Sequence, residues 1–324
     1  MKHTWSVTII LILFFILSQV TGLWLINKES RVGMDPGTNK TAVMFEDTAV
    51  GARPETTGSG SLLYILIAVA IGTGLVLLIA KFGKTHIWRL WFFLAVWMAI
   101  SVSIGALFKG SILFKYDLAL AMAFVLTSWK IFKPNIIVHN LTEVLMYAGI
   151  GLILVPLFDV KWALILLLII SVYDMYAVWK SKHMVKMAEF QTKSNVFAGL
   201  MIPYKQKDAG KAEASHTVRK GAPKIRAGKT SPKNAILGGG DIAFPLIFIG
   251  AVMNGIILKI YSETPSMPIA AMKASAFLQS SVIIFTSAIA LTLLFVFAKK
   301  GKYYPAMPFI TAGCLLGWAI TLLF

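Results

Sequence analysis

Nine apolar runs divide the chain, at residues 5–26, 62–80, 88–107, 117–132, 136–157, 162–179, 241–258, 276–298 and 306–324. Polar, glycine- or proline-bearing stretches separate them. A helix needs about 20 consecutive apolar residues to cross the hydrocarbon layer. The runs match that length, the fourth being the shortest. A membrane β-barrel would instead show alternating segments of about 10 residues, and the sequence has no such pattern. The pattern predicts an all-α polytopic membrane protein with nine transmembrane helices. Composition agrees: 57% of the 324 residues are hydrophobic and mean hydropathy is +0.76, against about 45–50% apolar in soluble domains.

Charge then orients the runs. Lys2 precedes the first. Lys81, Lys84 and Arg89 follow the second, Lys130 and Lys133 the end of the fourth, and Lys299, Lys300 and Lys302 the eighth. After the sixth, residues 180–233 hold 13 Lys/Arg against Glu189, Asp208 and Glu213, which supplies +10 of the chain's +17. Basic loops on alternate sides obey the positive-inside rule. They put the N-terminus in the cytoplasm and the C-terminus outside, as an odd number of spans requires. The positive charge is thereby explained without a nucleic-acid partner. Attraction to anionic lipid headgroups follows from it.

The loops divide the chain into three parts: 1–180, a basic cytoplasmic loop at 181–235, and 236–324. Residues 184–203 are apolar enough to lie on the membrane or cover something, whereas 204–234 are small, polar and basic and read as disordered. On the other side, 27–60 carry four basic and five acidic residues among Gly, Thr, Pro and Asp and read as a loose loop, with a glycosylation sequon at Asn39-Lys40-Thr41. Run 5–26 is long for a signal-peptide core of about 7–15 residues, so it is expected to stay as an uncleaved helix. Cys314 is the only cysteine, which excludes an intrachain disulfide, and the five histidines show no metal-ligand spacing. No cofactor or metal is expected.

Two acids break the apolar pattern. Asp174 ends the run Trp162-Ala-Leu-Ile-Leu-Leu-Leu-Ile-Ile-Ser-Val-Tyr173-Asp174, and Asp241 opens Asp241-Ile-Ala-Phe-Pro-Leu-Ile-Phe. An ionisable residue at membrane depth costs about 2.5–3.5 kcal/mol on insertion scales, and such residues mark functional sites. Asp174 comes six residues before Lys180 and Asp241 eight after Lys233. At about 1.5 Å per residue both lie on the order of 10 Å from the cytoplasmic boundary, on sequence-adjacent spans, as a face-to-face carboxyl pair requires. Such a pair shares a proton, and one member activates water while the other polarises a carbonyl. Intramembrane acids also build the proton relays of transporters and channels, and His139, Asn140 and Glu143 would suit a relay or a polar bundle contact.

Gly238, Gly239 and Gly240 precede Asp241. They would permit close backbone approach and strained dihedrals, or serve only as a flexible loop. Pro305-Ala306-Met307-Pro308 opens the ninth run, where two prolines leave carbonyls without helical donors, or simply start a helix.

Together these motifs resemble the presenilin and signal peptide peptidase family of intramembrane aspartyl proteases, and most closely a prokaryotic presenilin homologue. Tyr173-Asp174 looks like the family's Tyr-Asp motif, and Gly238-Gly239-Gly240-Asp241 matches its Gly-x-Gly-Asp signature. Pro305-Ala306-Met307 stands where the family has Pro-Ala-Leu, with Met307 the departure. The predicted orientation is that of presenilins, the inverse of signal peptide peptidases. The resemblance implies that Asp174 and Asp241 are the catalytic pair of an aspartic endopeptidase. Tyr173, Gly238, Gly239, Gly240, Pro305, Ala306, Met307 and Pro308 would support it or position substrate. It further implies single-span membrane proteins as substrates and a place in a prokaryotic cell membrane. The compact chain and short loops are expected to need no accessory subunits.

Overall fold

The computed structural model describes residues 5–34, 40–53, 56, 58–83, 85–108, 115–133, 135–180, 191, 197–204, 233–298 and 304–323. The sequon's Asn39 and most of the 181–235 loop, including 205–232 of the tail expected to be disordered, lie outside the described residues.

Nine α-helices form among the described residues: α1 (Trp5–Glu29), α2 (Ser59–Phe82), α3 (Thr85–Leu107), α4 (Lys115–Phe132), α5 (Ile136–Leu154), α6 (Val160–Met175), α7 (Gly240–Glu263), α8 (Ile269–Phe297) and α9 (Met307–Thr321). They follow the nine apolar runs in order. Seven are long and apolar enough to cross a membrane. The other two are α4, which carries Lys115, Asp117 and Lys130, and α9, only 15 residues long. At 1.5 Å per residue α9 rises about 22 Å, less than a hydrocarbon layer of about 30 Å. Non-helical backbone is tolerated at membrane depth only where protein or a water-filled cavity receives its polar groups. The backbone just ahead of α9 meets this condition, because it is received by Asp174, as described below.

Local chemistry sets several boundaries. Asn135 accepts from the Ile137 amide (2.8 Å) at the start of α5, and Asp159 from the Trp162 amide (2.9 Å) at the start of α6, each satisfying an otherwise unpaired first-turn donor. Pro156 sits in a short 3₁₀ turn, Val155–Leu157, between them. Hydroxyls within the apolar helices turn back onto their own backbone, as Thr142 does to Val138 (2.7 Å) and Thr292 to Ala288 (2.7 Å), so these side chains enter an apolar layer already hydrogen-bonded.

Glycines bring the helices together. Side-chain atoms of Leu246 on α7 lie within 3 Å of where a Cβ on Gly22 of α1 or Gly151 of α5 would stand. A Cβ on Gly313 of α9 would lie 2.7 Å from the Ser287 Cα on α8, and one on Gly317 2.7 Å from the Ile283 Cα. Gly313 and Gly317 are the small-xxx-small spacing by which membrane helices pack backbone to backbone. Helix α1 packs on α5, α7 and α8 with Leu11, Phe15, Leu23 and Ile26 fully buried, so the first run is part of the bundle core.

Where α1, α3 and α5 end, cations meet their last carbonyls. Lys28 donates to Leu107 (2.9 Å), Lys273 to Ser30 (2.7 Å), and Arg53 to Leu152. This is the favourable arrangement for the negative end of a helix dipole. Burial lowers the Arg53 pKa from its ordinary value, opposed by the charges of Glu29 and Asp47. A cavity of about 180 Å³ opens there, lined in part by Glu29, Glu46, Asp47 and Arg53, at the opposite end of α5 from the residues that contact the Asp241 loop.

Two antiparallel hairpins depart from the all-helical expectation. Strands β1 (Arg31–Met34) and β2 (Thr41–Met44) pair within the 27–60 loop, which also carries the Arg31–Glu46 ion pair at 2.6 Å. It is therefore more ordered than its Gly/Thr/Pro-rich sequence suggests. Strands β3 (Gly199–Tyr204) and β4 (Lys233–Gly238) pair in register from Gly199↔Gly238 to Tyr204↔Lys233. Leu200, Ile202, Ala235 and Leu237 are buried, which is what holds these short apolar strands in place. The apolar stretch expected at 184–203 thus ends in a strand, and β4 leads directly to Asp241.

Candidate active site

Asp174 is carried near the end of α6, 4% exposed. One residue after α6 the chain widens into a π-helical turn, Tyr176–Lys180, a distortion frequent at functional sites. Tyr173 is half-buried next to Asp174. Asp241 lies in the first turn of α7, half-buried. Helices α6 and α7 pack together, and the charge of Asp174 acts on Asp241. The two aspartates singled out from sequence are therefore neighbours across a helix interface.

Each carboxyl is met by backbone. The Met307 amide donates to Asp174 Oδ2 at 3.2 Å, and the Ala306 amide also bonds Asp174. Pro305, Ala306 and Met307 are buried, and Pro308 lies in the first turn of α9. The Pro-Ala-Met-Pro element was expected either to offer free carbonyls or simply to start a helix, and Pro308 does stand at the helix start. What it offers instead is two amide donors, directed at a catalytic candidate, and Met in place of Leu leaves both unchanged because they are main-chain groups. Asp241 accepts from the Gly238 amide.

Of the readings open for the glycines, strained dihedrals are not used, since none of Gly238, Gly239 and Gly240 has a positive φ. Gly239 is instead constrained by space. A Cβ there would lie 2.7 Å from the Tyr147 hydroxyl oxygen and 3.1 Å from its ring. A Cβ on Gly238 would lie 3.2 Å from Asp241 Oδ2, whereas one on exposed Gly240 would meet only the Phe244 ring at 3.5 Å.

Further residues shape the site that sequence did not single out. Pro245 lies inside α7, four residues after Asp241, so it has no amide hydrogen to give the Asp241 carbonyl. A proline four residues after the acid was readable in the sequence. Gln19 on α1 donates to the Ile242 carbonyl (2.8 Å). Tyr147, 1% exposed, donates its hydroxyl to Glu143 and packs against Gly239. Gly199 has φ +147°, and a Cβ there would collide with the Leu237 carbonyl, so only glycine fits.

Hydrogen bonds in antiparallel strands alternate sides residue by residue. The Gly199 and Met201 backbone groups are taken by α5, so Leu200, Ile202 and Tyr204 face β4. Pro203, which lacks an amide hydrogen, shares the α5-facing parity, as a strand proline must if it is to leave the ladder intact. On β4 the groups of Asn234 and Ile236 accordingly face away from β3, and the Gly238 amide turns to Asp241.

Among solved structures, a presenilin family intramembrane aspartate protease in space group C222 matches with a TM-score of 0.59 at 17% identity, covering 98% of both chains. One in space group P2 matches with a TM-score of 0.57 at 18% identity, covering 97% of this chain and 96% of that one. These likenesses establish the fold. No curated protein sequence matches. The family model for signal-peptide peptidase, presenilin aspartyl protease matches residues 40–324, a span that contains both aspartates, the glycines and the Pro-Ala-Met-Pro element. The chain therefore belongs to the signal-peptide peptidase and presenilin family, and is a multi-pass intramembrane aspartic endopeptidase.

Proposed function

We propose that Asp174 and Asp241 are the general acid–base pair of this protease and hydrolyse peptide bonds within transmembrane helices of substrates. The observation that carries the assignment is their apposition across α6 and α7, with Asp174 oriented by the Met307 and Ala306 amides and Asp241 by the Gly238 amide. With one carboxyl ionised and the other protonated, the ionised one takes a proton from water as the water oxygen bonds to the scissile carbonyl carbon. The protonated one gives its proton to the carbonyl oxygen, forming a gem-diol. On collapse a carboxyl protonates the amide nitrogen, the C–N bond breaks, and the other carboxylate accepts the hydroxyl proton.

Helical peptide bonds are hydrogen-bonded internally, so the substrate must unwind before attack. The β4 groups at Asn234 and Ile236 that face away from β3 suit strand addition and lead into the Gly238–Gly240 approach to Asp241. The basic loop puts the Asp174/Asp241 end of the bundle at the cytoplasm, with the N-terminus inside and the C-terminus outside. First cuts then fall in the cytoplasmic third of the substrate span. Single-span membrane proteins are the substrates, cleaved without accessory subunits in a prokaryotic cell membrane.

The test is reconstitution of the purified protein alone with a labelled single-span peptide, comparing the wild type with Asp174→Ala and Asp241→Ala, with and without a hydroxyl isostere of the gem-diol. Each substitution is expected to abolish cleavage and the isostere to inhibit the wild type. Wild-type rates in either variant would reject the pair. Product masses place the cuts, and first cuts near the outer face would reject the orientation.

A further inference from the structure

A strand edge inside a membrane protein cannot be left unpaired, because no water is there to satisfy it. The α5-facing edge of β3 is satisfied by side chains of one helix. Asn140 bonds Met201 at both backbone groups: its Oδ1 accepts from the Met201 amide (3.0 Å) and its Nδ2 donates to the Met201 carbonyl (3.0 Å). This is the pair of bonds a neighbouring strand would make. Two residues earlier on β3 the pattern repeats. Glu143 accepts from the Gly199 amide (3.0 Å), and His139 Nε2 lies 2.9 Å from the Gly199 carbonyl, which can only accept, so Nε2 carries the proton. Four backbone groups of β3 are thus met by His139, Asn140 and Glu143, which stand at i, i+1 and i+4 on one face of α5.

The helix side of this contact is itself fixed. Glu143 is fully buried, paired with Lys130 of α4, and accepts the Tyr147 hydroxyl. Tyr147 in turn abuts Gly239. One buried network therefore touches the segment that delivers Asp241 twice near the acid: through Gly199, paired with Gly238, and through Gly239, two residues before Asp241.

We infer that His139, Asn140 and Glu143 act as a surrogate strand that holds the β3–β4 hairpin assembled before substrate arrives. They are positioning residues for the β4 edge and for Asp241. Their positioning role rests on the strand-addition reading of substrate binding. Their effect on the hairpin does not.

The experiment separates the two. Full-length enzyme in nanodiscs, without substrate, is compared with Asn140→Leu by amide hydrogen exchange, followed by cleavage kinetics on the single-span peptide. Two lost hydrogen bonds to Met201 should speed exchange across 199–204 and 233–238 by about tenfold or more, with exchange in α1 and α8 unchanged. KM should rise severalfold, by more than kcat falls. Should leucine prevent folding, Asn140→Ser withdraws the same groups without adding bulk and carries the same expectation. Unchanged hairpin exchange in a folded variant overturns the inference. Faster exchange with wild-type KM and kcat leaves the surrogate strand standing and overturns the strand-addition reading, and with it the positioning role.

Discussion

Replacing Lys130 with methionine tests whether the buried network beneath the site is held by its charge pair. The Lys130 side chain is 2% exposed and that of Glu143 0%. Glu143 Oε1 takes Lys130, while Oε2 takes the Tyr147 hydroxyl and the Gly199 amide. Methionine keeps most of the lysine stem, so the loss is almost purely the counter-charge. Glu143 keeps two neutral donors and the His139 imidazole at 4.0 Å but loses its lysine, and the structure offers it no solvent. Removing one partner of a buried ion pair costs about 3–5 kcal/mol, because it leaves the other charge uncompensated. For a chain of this size that corresponds to a melting shift on the order of 5–10 °C, measurable by intrinsic fluorescence in detergent, given nine tryptophans.

The decisive arm is the double variant Lys130→Met/Glu143→Gln. It removes the orphaned charge and retains an amide oxygen for the Gly199 amide. If uncompensated charge is the cause, the double variant recovers more than half of the loss, a non-additivity expected only of groups in one network. A Lys130→Met variant melting within about 1 °C of wild type would refute the reasoning, since a pair worth so little would be behaving as a solvated one. A double variant no more stable than the single would equally refute it, by showing that the lysine matters for packing alone.

The remaining predictions concern the site itself. Gly239→Ala forces a Cβ against Tyr147 and should cost about 1–3 kcal/mol of stability, with cleavage lowered; Tyr147→Phe in the same chain should restore part of the activity, and strict additivity would count against the contact. Gly240→Ala meets nothing closer than 3.5 Å, so it should melt like wild type yet cleave poorly if this exposed face admits the peptide; unchanged kinetics would move the substrate path elsewhere. Met307→Pro deletes the amide that holds Asp174 and should lower kcat by about 10–100-fold, as expected for a hydrogen bond to a charged group, whereas Met307→Leu should keep near-wild-type kcat. Gly199→Ala meets both a forbidden φ and the Leu237 carbonyl and should loosen the hairpin, seen as faster amide exchange at 233–238; wild-type protection would refute it.

How legible this molecule was from its sequence depended on whether each signal was local. Nine apolar runs announced nine helices because burial in lipid leaves a long unbroken signature. Asp174 and Asp241 stood out because a charge in such a run is conspicuous. Strands β3 and β4 left a weaker trace. Gly199-Leu-Met-Ile-Pro-Tyr204 and Lys233-Asn-Ala-Ile-Leu-Gly238 are short apolar stretches bounded by glycine, consistent with buried strands, but each draws its order from a partner 29 to 39 positions away. Gly199 and Tyr147 were invisible for the same reason. A lone glycine or a tyrosine in an apolar helix carries meaning only once its neighbour is known. Of the two properties read for the glycine triplet, backbone freedom is unused and the absence of bulk counts, though against the Tyr147 side chain rather than another backbone.

Three carboxyls on membrane helices show how the structure separates support from chemistry. Glu143 has a lysine, a tyrosine hydroxyl and a backbone amide on its two oxygens, and a carboxylate so compensated is held where it lies. Among the described residues neither Asp174 nor Asp241 has a cation within ion-pair distance. Among the described residues each has only backbone amides to orient it, and the charge of Asp174 acts on Asp241. Two like acids without a counter-charge resist joint ionisation, which is the condition the proposed sharing of one proton requires. Sequence placed Asp174 and Asp241 at matched depth and left Glu143 as a member of a relay or of a polar bundle contact. What distinguishes them physically is the set of donors around each one, which fits Glu143 to holding the site and the two aspartates to the working role proposed for them.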